Sequence, residues 1–203
     1  TTTLGDLFLD INHHMDIGRF NDIWGWDPSL GSYYIATATT PNPWEGYWVL
    51  SNCPTSYCIP GKPVTSWSLT MECGKWYLIG SVLCEPCPCC CPEPEVGIPW
   101  REPCVTLTVN GNSLPLSHIS GPWEYDCNTG SYVLATVIKP FKGYWVSLSC
   151  GEFQKATLKM ECCDQLVPIK KKCPEKCDCE WLSPVGTVNP PGTDVNCGTI
   201  IHG

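Results

Sequence analysis

The chain has 203 residues, of which 17 are Cys, 20 Pro, 18 Gly and 10 Trp, and only 16% are charged. That length suits one or two domains with cores of their own, and cysteines this dense predict an oxidising, extracellular or cell-surface setting, where disulfides persist. A formal net charge of -8 repels phosphate backbones and argues against a nucleic-acid partner, and no apolar run approaches the about 18 residues that a membrane-spanning helix needs.

The chain opens on Thr1 with no basic-then-apolar leader, as expected of a mature secreted chain. Residues 3–11 read as a short helical turn, with Thr3 and Asp6 spaced for an N-terminal cap. Residues 33–40 and the Gly-Tyr-Trp-Val run at 46–49 are rich in aromatic and β-branched types, as strands are. In the next block Trp67, Leu69, Met71 and Cys73 alternate with Ser66, Ser68, Thr70 and Glu72, the period-two signature of a strand with one buried face. A further strand is predicted at Trp76-Tyr77-Leu78-Ile79, and another where Val105, Leu107 and Val109 alternate with threonines. Residues 113–119 read as a second helical turn. Lys170-Lys171-Lys172, the only basic cluster, reads as a solvated loop.

Much of this pattern occurs twice. Trp24-Gly25-Trp26-Asp27 with Gly31-Ser32-Tyr33 returns as Trp123-Glu124-Tyr125-Asp126 with Gly130-Ser131-Tyr132. Gly46-Tyr47-Trp48-Val49 and Cys53 return as Gly143-Tyr144-Trp145-Val146 and Cys150, and Leu69-Thr70-Met71-Glu72-Cys73 returns as Leu158-Lys159-Met160-Glu161-Cys162. Ordered blocks with shared internal spacing mark an internal duplication. The fold class expected is therefore all-β and disulfide-rich, with two tandem antiparallel sandwich or barrel modules and short helical turns. The predicted division is an incomplete module 1 at residues 1–73, module 2 at 74–162 with a Cys/Pro-rich insertion at 84–104, and a Cys-rich linker and arm at 163–203. The succession of a Trp-x-Leu-Ile strand, a Trp-x-Tyr-Asp block and Gly-Tyr-Trp-Val resembles a repeat module of secreted and surface proteins of prokaryotes. The resemblance implies architecture and location rather than an activity.

Module 1 lacks the opening Trp-x-Leu-Ile strand, and the other terminus carries sequence like it. Cys179-Glu180-Trp181-Leu182-Ser183-Pro184-Val185-Gly186 resembles residues 73–80, and Cys197-Gly198-Thr199-Ile200-Ile201 resembles the segment from Cys104. An open β-module exposes unpaired backbone groups and needs borrowed strands. Trp181, Leu182, Val185, Cys197, Ile200 and Ile201 are thus expected to form a donor arm. The arm either closes the chain's own module or enters the next copy's, giving a head-to-tail homopolymer. The extended Pro190-Pro191 pair favours the polymer.

The odd cysteine count leaves at least one thiol over, and Cys197 in the arm is the choice for an intersubunit bridge. Cys53 and Cys150 are equivalent, as are Cys73 and Cys162, so a bridge such as Cys53 to Cys73 is expected to recur in the second repeat. Cys84 and Cys104 bound the insertion and are also expected in disulfides. The competing reading of Cys84, Cys87, Cys89, Cys90 and Cys91 is a thiolate metal site, since Cys84 and Cys87 have the spacing of half a zinc knuckle. No matching second half follows, so neither metal nor cofactor is expected.

His13, His14, His118 and His202 form no hydrolase or metalloenzyme spacing, and Asp27 and Asp126 sit where turns place an Asp. No catalytic role is expected. A second functional reading makes Trp48 and Trp145 outward platforms for sugar rings, in a monomeric carbohydrate-binding or adhesive module at the cell surface.

Overall fold

The computed structural model describes residues 3–7, 20–51, 63–84, 95–126, 129–169 and 199–201. After the helical turn α1 (Leu4–Leu7) come β1 (Phe20–Asp27), β2 (Ser32–Ile35), β3 (Tyr47–Ser51), β4 (Ser66–Glu72) and β5 (Trp76–Ile79). They are followed by β6 (Glu95–Pro99), β7 (Val105–Val109), β8 (Asn112–Leu114), β9 (Ile119–Asp126) and β10 (Ser131–Leu134). The remaining strands are β11 (Val137–Ile138), β12 (Tyr144–Leu148), β13 (Lys155–Glu161), β14 (Val167–Ile169) and β15 (Thr199–Ile201). The fold is all-β, and its sheets are antiparallel throughout the described residues.

The second predicted helical turn is shorter than its sequence suggests. Thr3 and Asp6 do form the cap: the Thr3 N–H and Oγ1 donate to Asp6 Oδ2 at 2.6 and 2.8 Å, and the Asp6 N–H donates to Thr3 Oγ1 at 3.3 Å. Leu4–Leu7 is helical, and residues 8–11 lie outside the described part. In the second predicted turn Asn112–Leu114 is strand, because a left-handed pair, Asn110 (φ 50°) and Gly111 (φ 82°), turns β7 back on β8. Only Leu116–His118 remains as a 3₁₀ turn. The strand expected over 33–40 ends at Ile35, where Ala36 enters a turn closed by the Thr39 N–H on its carbonyl at 2.9 Å.

Two sheets repeat one another. The first has the order β15-β3-β1-β2 and the second β5-β12-β9-β10. Cross-strand partners agree residue by residue: Trp24 opposite Ile35 and Asp27 opposite Ser32 in one, Trp123 opposite Leu134 and Asp126 opposite Ser131 in the other. Trp24 faces Trp48 as Trp123 faces Trp145, and each pairing is followed by a register shift. The turns repeat as well, with Gly31 and Gly130 at φ 63° and 64° donating back to the Asp27 and Asp126 carbonyls.

The third repeated block joins the modules instead of staying within them. β4 and β13 pair directly, so that the equivalent residues Leu69 and Leu158 stand opposite each other. On either side Trp67 faces Met160 and Met71 faces Ala156, a pattern that maps onto itself when the repeats are exchanged. The two strands are thus related by a local two-fold axis through the Leu69–Leu158 pair. The sheet runs β4-β13-β7-β8 across the predicted module boundary. Its buried face (Trp67, Leu69, Met71, Val105, Leu107, Ala156, Leu158 and Met160) packs on Tyr77, Ile79, Tyr144 and Val146 of the second sheet. Each fully buried aliphatic side chain here contributes roughly 2 kcal/mol. The opposite face of that second sheet meets the first through Trp26, Trp48, Leu78 and Trp145, with Trp26 edge-on to Trp145 at 5.0 Å between centroids. β12 is consequently buried on both faces.

Candidate functional site

β3 is the strand on which the first sheet is completed. Beside it lies β15, antiparallel, with Thr199 opposite Val49, Ile200 opposite Trp48 and Ile201 opposite Tyr47. In the second sheet β5 lies beside β12 with Tyr77 opposite Val146, Leu78 opposite Trp145 and Ile79 opposite Tyr144. Since Tyr47, Trp48 and Val49 are the counterparts of Tyr144, Trp145 and Val146, β15 occupies in sheet one the slot that β5 occupies in sheet two.

This placement corrects the tail alignment. Residues 197–201 resemble the segment from Cys104, yet Ile200 and Ile201 take the place of Leu78 and Ile79 rather than of β7. The reason is burial. Tyr77, Leu78 and Ile79 are all buried, so that slot takes consecutive apolar residues, whereas β7 alternates buried aliphatics with threonines. Thr-Ile-Ile carries the former pattern. Within one chain the strand lies on that chain's own first sheet, the self-closing arrangement of the two expected. Trp181, Leu182, Val185 and Cys197 lie outside the described residues.

A second wall stands near the sister slot. The Gly46 N–H donates to the Leu78 carbonyl and the Gly80 N–H to the Trp44 carbonyl, both at 2.9 Å, and Glu45 bridges to Ile79. β5 is therefore held by β12 on one edge and by residues 44–46 of the first repeat on the other. Glu45 is only 4% exposed. It accepts hydrogen bonds from Tyr34 Oη (2.8 Å), Tyr47 Oη (2.9 Å) and Asn42 Nδ2 (2.8 Å). Burial, and next the Glu45 charge, push the Tyr34 and Tyr47 hydroxyls well above the usual phenol range. Tyr47 Oη also accepts from the Asn42 N–H at 2.9 Å, as Tyr144 Oη accepts from the Lys139 N–H at 2.8 Å.

The equivalent positions in the second repeat reverse the chemistry. Where the first has Gly25, Tyr34, Asn42 and Glu45, the second has Glu124, Val133, Lys139 and Lys142. Lys142 and Lys139 both pair with Glu124, the latter at 3.4 Å. A carboxylate on the wall held by tyrosines becomes a lysine on the wall held by a carboxylate. Sequence reasoning missed this set, although the lack of a side chain at Gly25 opposite a Tyr was a readable signal.

The disulfides follow a different scheme from the expected one. Cys73 pairs with Cys150 (Cα–Cα 4.9 Å), Cys84 with Cys162 (5.4 Å) and Cys104 with Cys163 (5.2 Å). The expected intra-repeat partner of Cys73 was Cys53, which lies outside the described residues, as does Cys197. The strand pairing decides the matter: Cys73 forms a bridge with Leu148 two residues before Cys150, which brings the ends of β4 and β12 side by side. Cys84, bound to Cys162, leaves the proposed thiolate set, and Cys87, Cys89, Cys90 and Cys91 lie outside the described residues. Three disulfides point to an oxidising environment.

The other candidates resolve plainly. Asp27 Oδ1 accepts from the Ser29 N–H (2.7 Å), Ser29 Oγ (2.6 Å) and the Leu30 N–H (3.2 Å), which makes it a turn-forming residue and holds its carboxyl below the usual range. Trp48 and Trp145 are 7% and 1% exposed, and Tyr47 and Tyr144 are buried too, so neither face of these strands offers a ring to a sugar. The platform reading fails because both indole rings are packed at the interface of the two repeated sheets. His118 stacks edge-on to Phe153 at 5.3 Å, while His13, His14 and His202 lie outside the described residues. Among the described residues no three His, Cys, Asp or Glu side chains group as metal ligands, and no helix is long and apolar enough to cross a membrane. No family model matches the chain, and neither the curated proteins nor the solved structures contain a protein similar enough to be matched to it.

Proposed function

We propose that this is an extracellular or cell-surface structural protein, without catalytic activity, whose copies join by exchanging the C-terminal strand. The reading rests on one observation: β15 fills, with the same register, the slot beside β3 that β5 fills beside β12. A fold that finishes its first sheet with a strand distant in sequence can take that strand from another copy. The same backbone pairing is available from the tail of a second copy, because exchange of an identical element creates no new contacts. Exchange from copy to copy in one direction is heterologous and propagates head to tail. The disulfides support the reading, since they lock the acceptor body. The partner is therefore the chain itself.

Size-exclusion chromatography with light scattering over a range of concentrations, together with negative-stain microscopy, tests the proposal. Oligomers or filaments that dissociate when Ile200 and Ile201 are both replaced by Asp are expected. A particle of one-chain mass at every concentration, with β15 protected from exchange, overturns the assembly and leaves self-closure as the tail's function.

A further inference from the structure

Cys73 pairs with Cys150, Cys84 with Cys162 and Cys104 with Cys163, over separations of 77, 78 and 59 residues. The three bridges interleave completely, since their first partners follow one another along the chain in the same order as their second partners. Seven cysteines stand between Cys73 and Cys150, seven between Cys84 and Cys162, and three between Cys104 and Cys163. We infer that this set is sorted by thiol–disulfide exchange on the paired β4-β13-β7 sheet, so that the chain is a substrate for a disulfide-isomerising dithiol protein.

The statistics of the open chain work against these pairs. The closing probability of a flexible loop falls with about the 1.5 power of its length. Cys84 stands 11 positions from Cys73, against 77 for Cys150. Oxidation of the unfolded chain therefore favours the wrong partner of Cys73 by about 20-fold. Between Cys162 and Cys163 the open chain makes no choice at all, because the two loops differ by a single residue.

The folded sheet makes that choice. β13 lies between β4 and β7. On the β4 side the Cys162 N–H donates to the Thr65 carbonyl at 2.9 Å and the Leu83 N–H to that of Val64 at 2.8 Å, which sets Cys162 beside Cys84. On the β7 side the Glu161 N–H donates to the carbonyl of the buried Cys104 at 2.9 Å, which brings the next residues of the strand, and so Cys163, to Cys104. At the other end of β4 the Gly74 N–H donates to the Leu148 carbonyl at 2.9 Å and sets Cys73 near Cys150. Each native pair is thus defined by strand neighbours that exist only once the strands have paired.

The first bridges form when two thiols pass two electrons and two protons to an oxidised disulfide carrier, which leaves as a dithiol. In the sorting step a thiolate of the isomerising protein attacks one sulfur of a wrong bridge, forming a mixed disulfide and releasing the other cysteine as a thiolate. That thiolate attacks a second wrong bridge and closes a native one. The thiolate freed there attacks the mixed disulfide, which returns the dithiol with no net change in electrons.

Refolding of the reduced, denatured full chain tests this. It is carried out with a thiol-free oxidant alone, with a glutathione redox buffer, and with that buffer plus a purified disulfide isomerase, and the bridges are mapped without reduction. The three native pairs are expected to be about tenfold scarcer with the oxidant alone than in the exchange buffers, and to appear faster when the isomerase is present. Equal yields with the oxidant alone overturn the need for exchange, as does absence of the native pairs from every arm. A rate that the isomerase leaves unchanged overturns the dithiol protein as partner. In denaturant with the glutathione buffer Cys84 is expected to join Cys162 and Cys163 in equal amounts, and under native conditions Cys162 alone. A preference for Cys162 that is equally strong in denaturant overturns selection by the sheet.

Discussion

Replacing Gly25 with Ala tests the coordinated difference between the repeats most directly. A Cβ at position 25 would lie 2.4 Å from Tyr34 Cζ and 2.5 Å from its Oη, inside any real carbon contact. The ring must leave, and with it goes the hydrogen bond from Tyr34 Oη to the buried Glu45 carboxylate. A hydrogen bond to a charged group contributes about 1.5–3 kcal/mol. Against this, Ala in a strand interior gains about 0.5–1 kcal/mol over Gly. Gly25→Ala is therefore expected to destabilise by about 1–2 kcal/mol. In a Tyr34→Val background, which copies the Val133 of the second repeat, the ring is absent and the same change should stabilise by about 0.5–1 kcal/mol. The two positions should thus couple by about 2 kcal/mol, read as a double-mutant cycle from denaturant unfolding with disulfides intact. Equal effects of Gly25→Ala in both backgrounds would refute the view that position 25 is kept bare for the Tyr34 ring.

Three further outcomes are expected. Glu72 accepts from Lys155 and Lys75, which lower its pKa from 4.5 to about 2, so its stabilising contribution is present above the unfolded value and is lost as pH falls from about 4.5 towards 2; Glu72→Gln should flatten the acid limb of the stability curve in that window. Peptide mapping without reduction should recover Cys73 with Cys150, Cys84 with Cys162 and Cys104 with Cys163. Removal of the first pair by Ser should cost about 2–4 kcal/mol, as expected for a cross-link spanning 77 residues. Gly121→Ala should destabilise by about 3 kcal/mol or more, measured by thermal unfolding, since its Cβ would meet the Trp145 carbonyl oxygen at 2.4 Å and φ is 112°; a neutral result would mean that the β9 backbone shifts freely there.

Much of the local structure was legible in the sequence. Alternation in residues 66–73 named a strand and its buried face, because the side-chain period of a strand is fixed at two, and the return of its motif at 158–162 named a second. The recurring Asp27 and Asp126 named the turns that follow β1 and β9, because an Asp side chain there bonds the backbone two residues on. The need for a strand beside β3 was also readable, from the missing Trp-x-Leu-Ile block. The tail's own register was not, since Ile200-Ile201 matches two places in the repeat and only double-sided burial separates them.

The sequence by itself determined that this is a duplicated, disulfide-linked β protein, since duplication, period and turn chemistry are local properties of the chain. Tertiary structure alone decided that β4 pairs with its own repeat partner β13, that Cys73 meets Cys150, and that Trp48 and Trp145 are enclosed. Alternation records that a face is buried, but it carries no information on which strand lies alongside. A cysteine's partner is set by Cα atoms brought within about 6 Å of one another, a distance unrelated to separation along the chain.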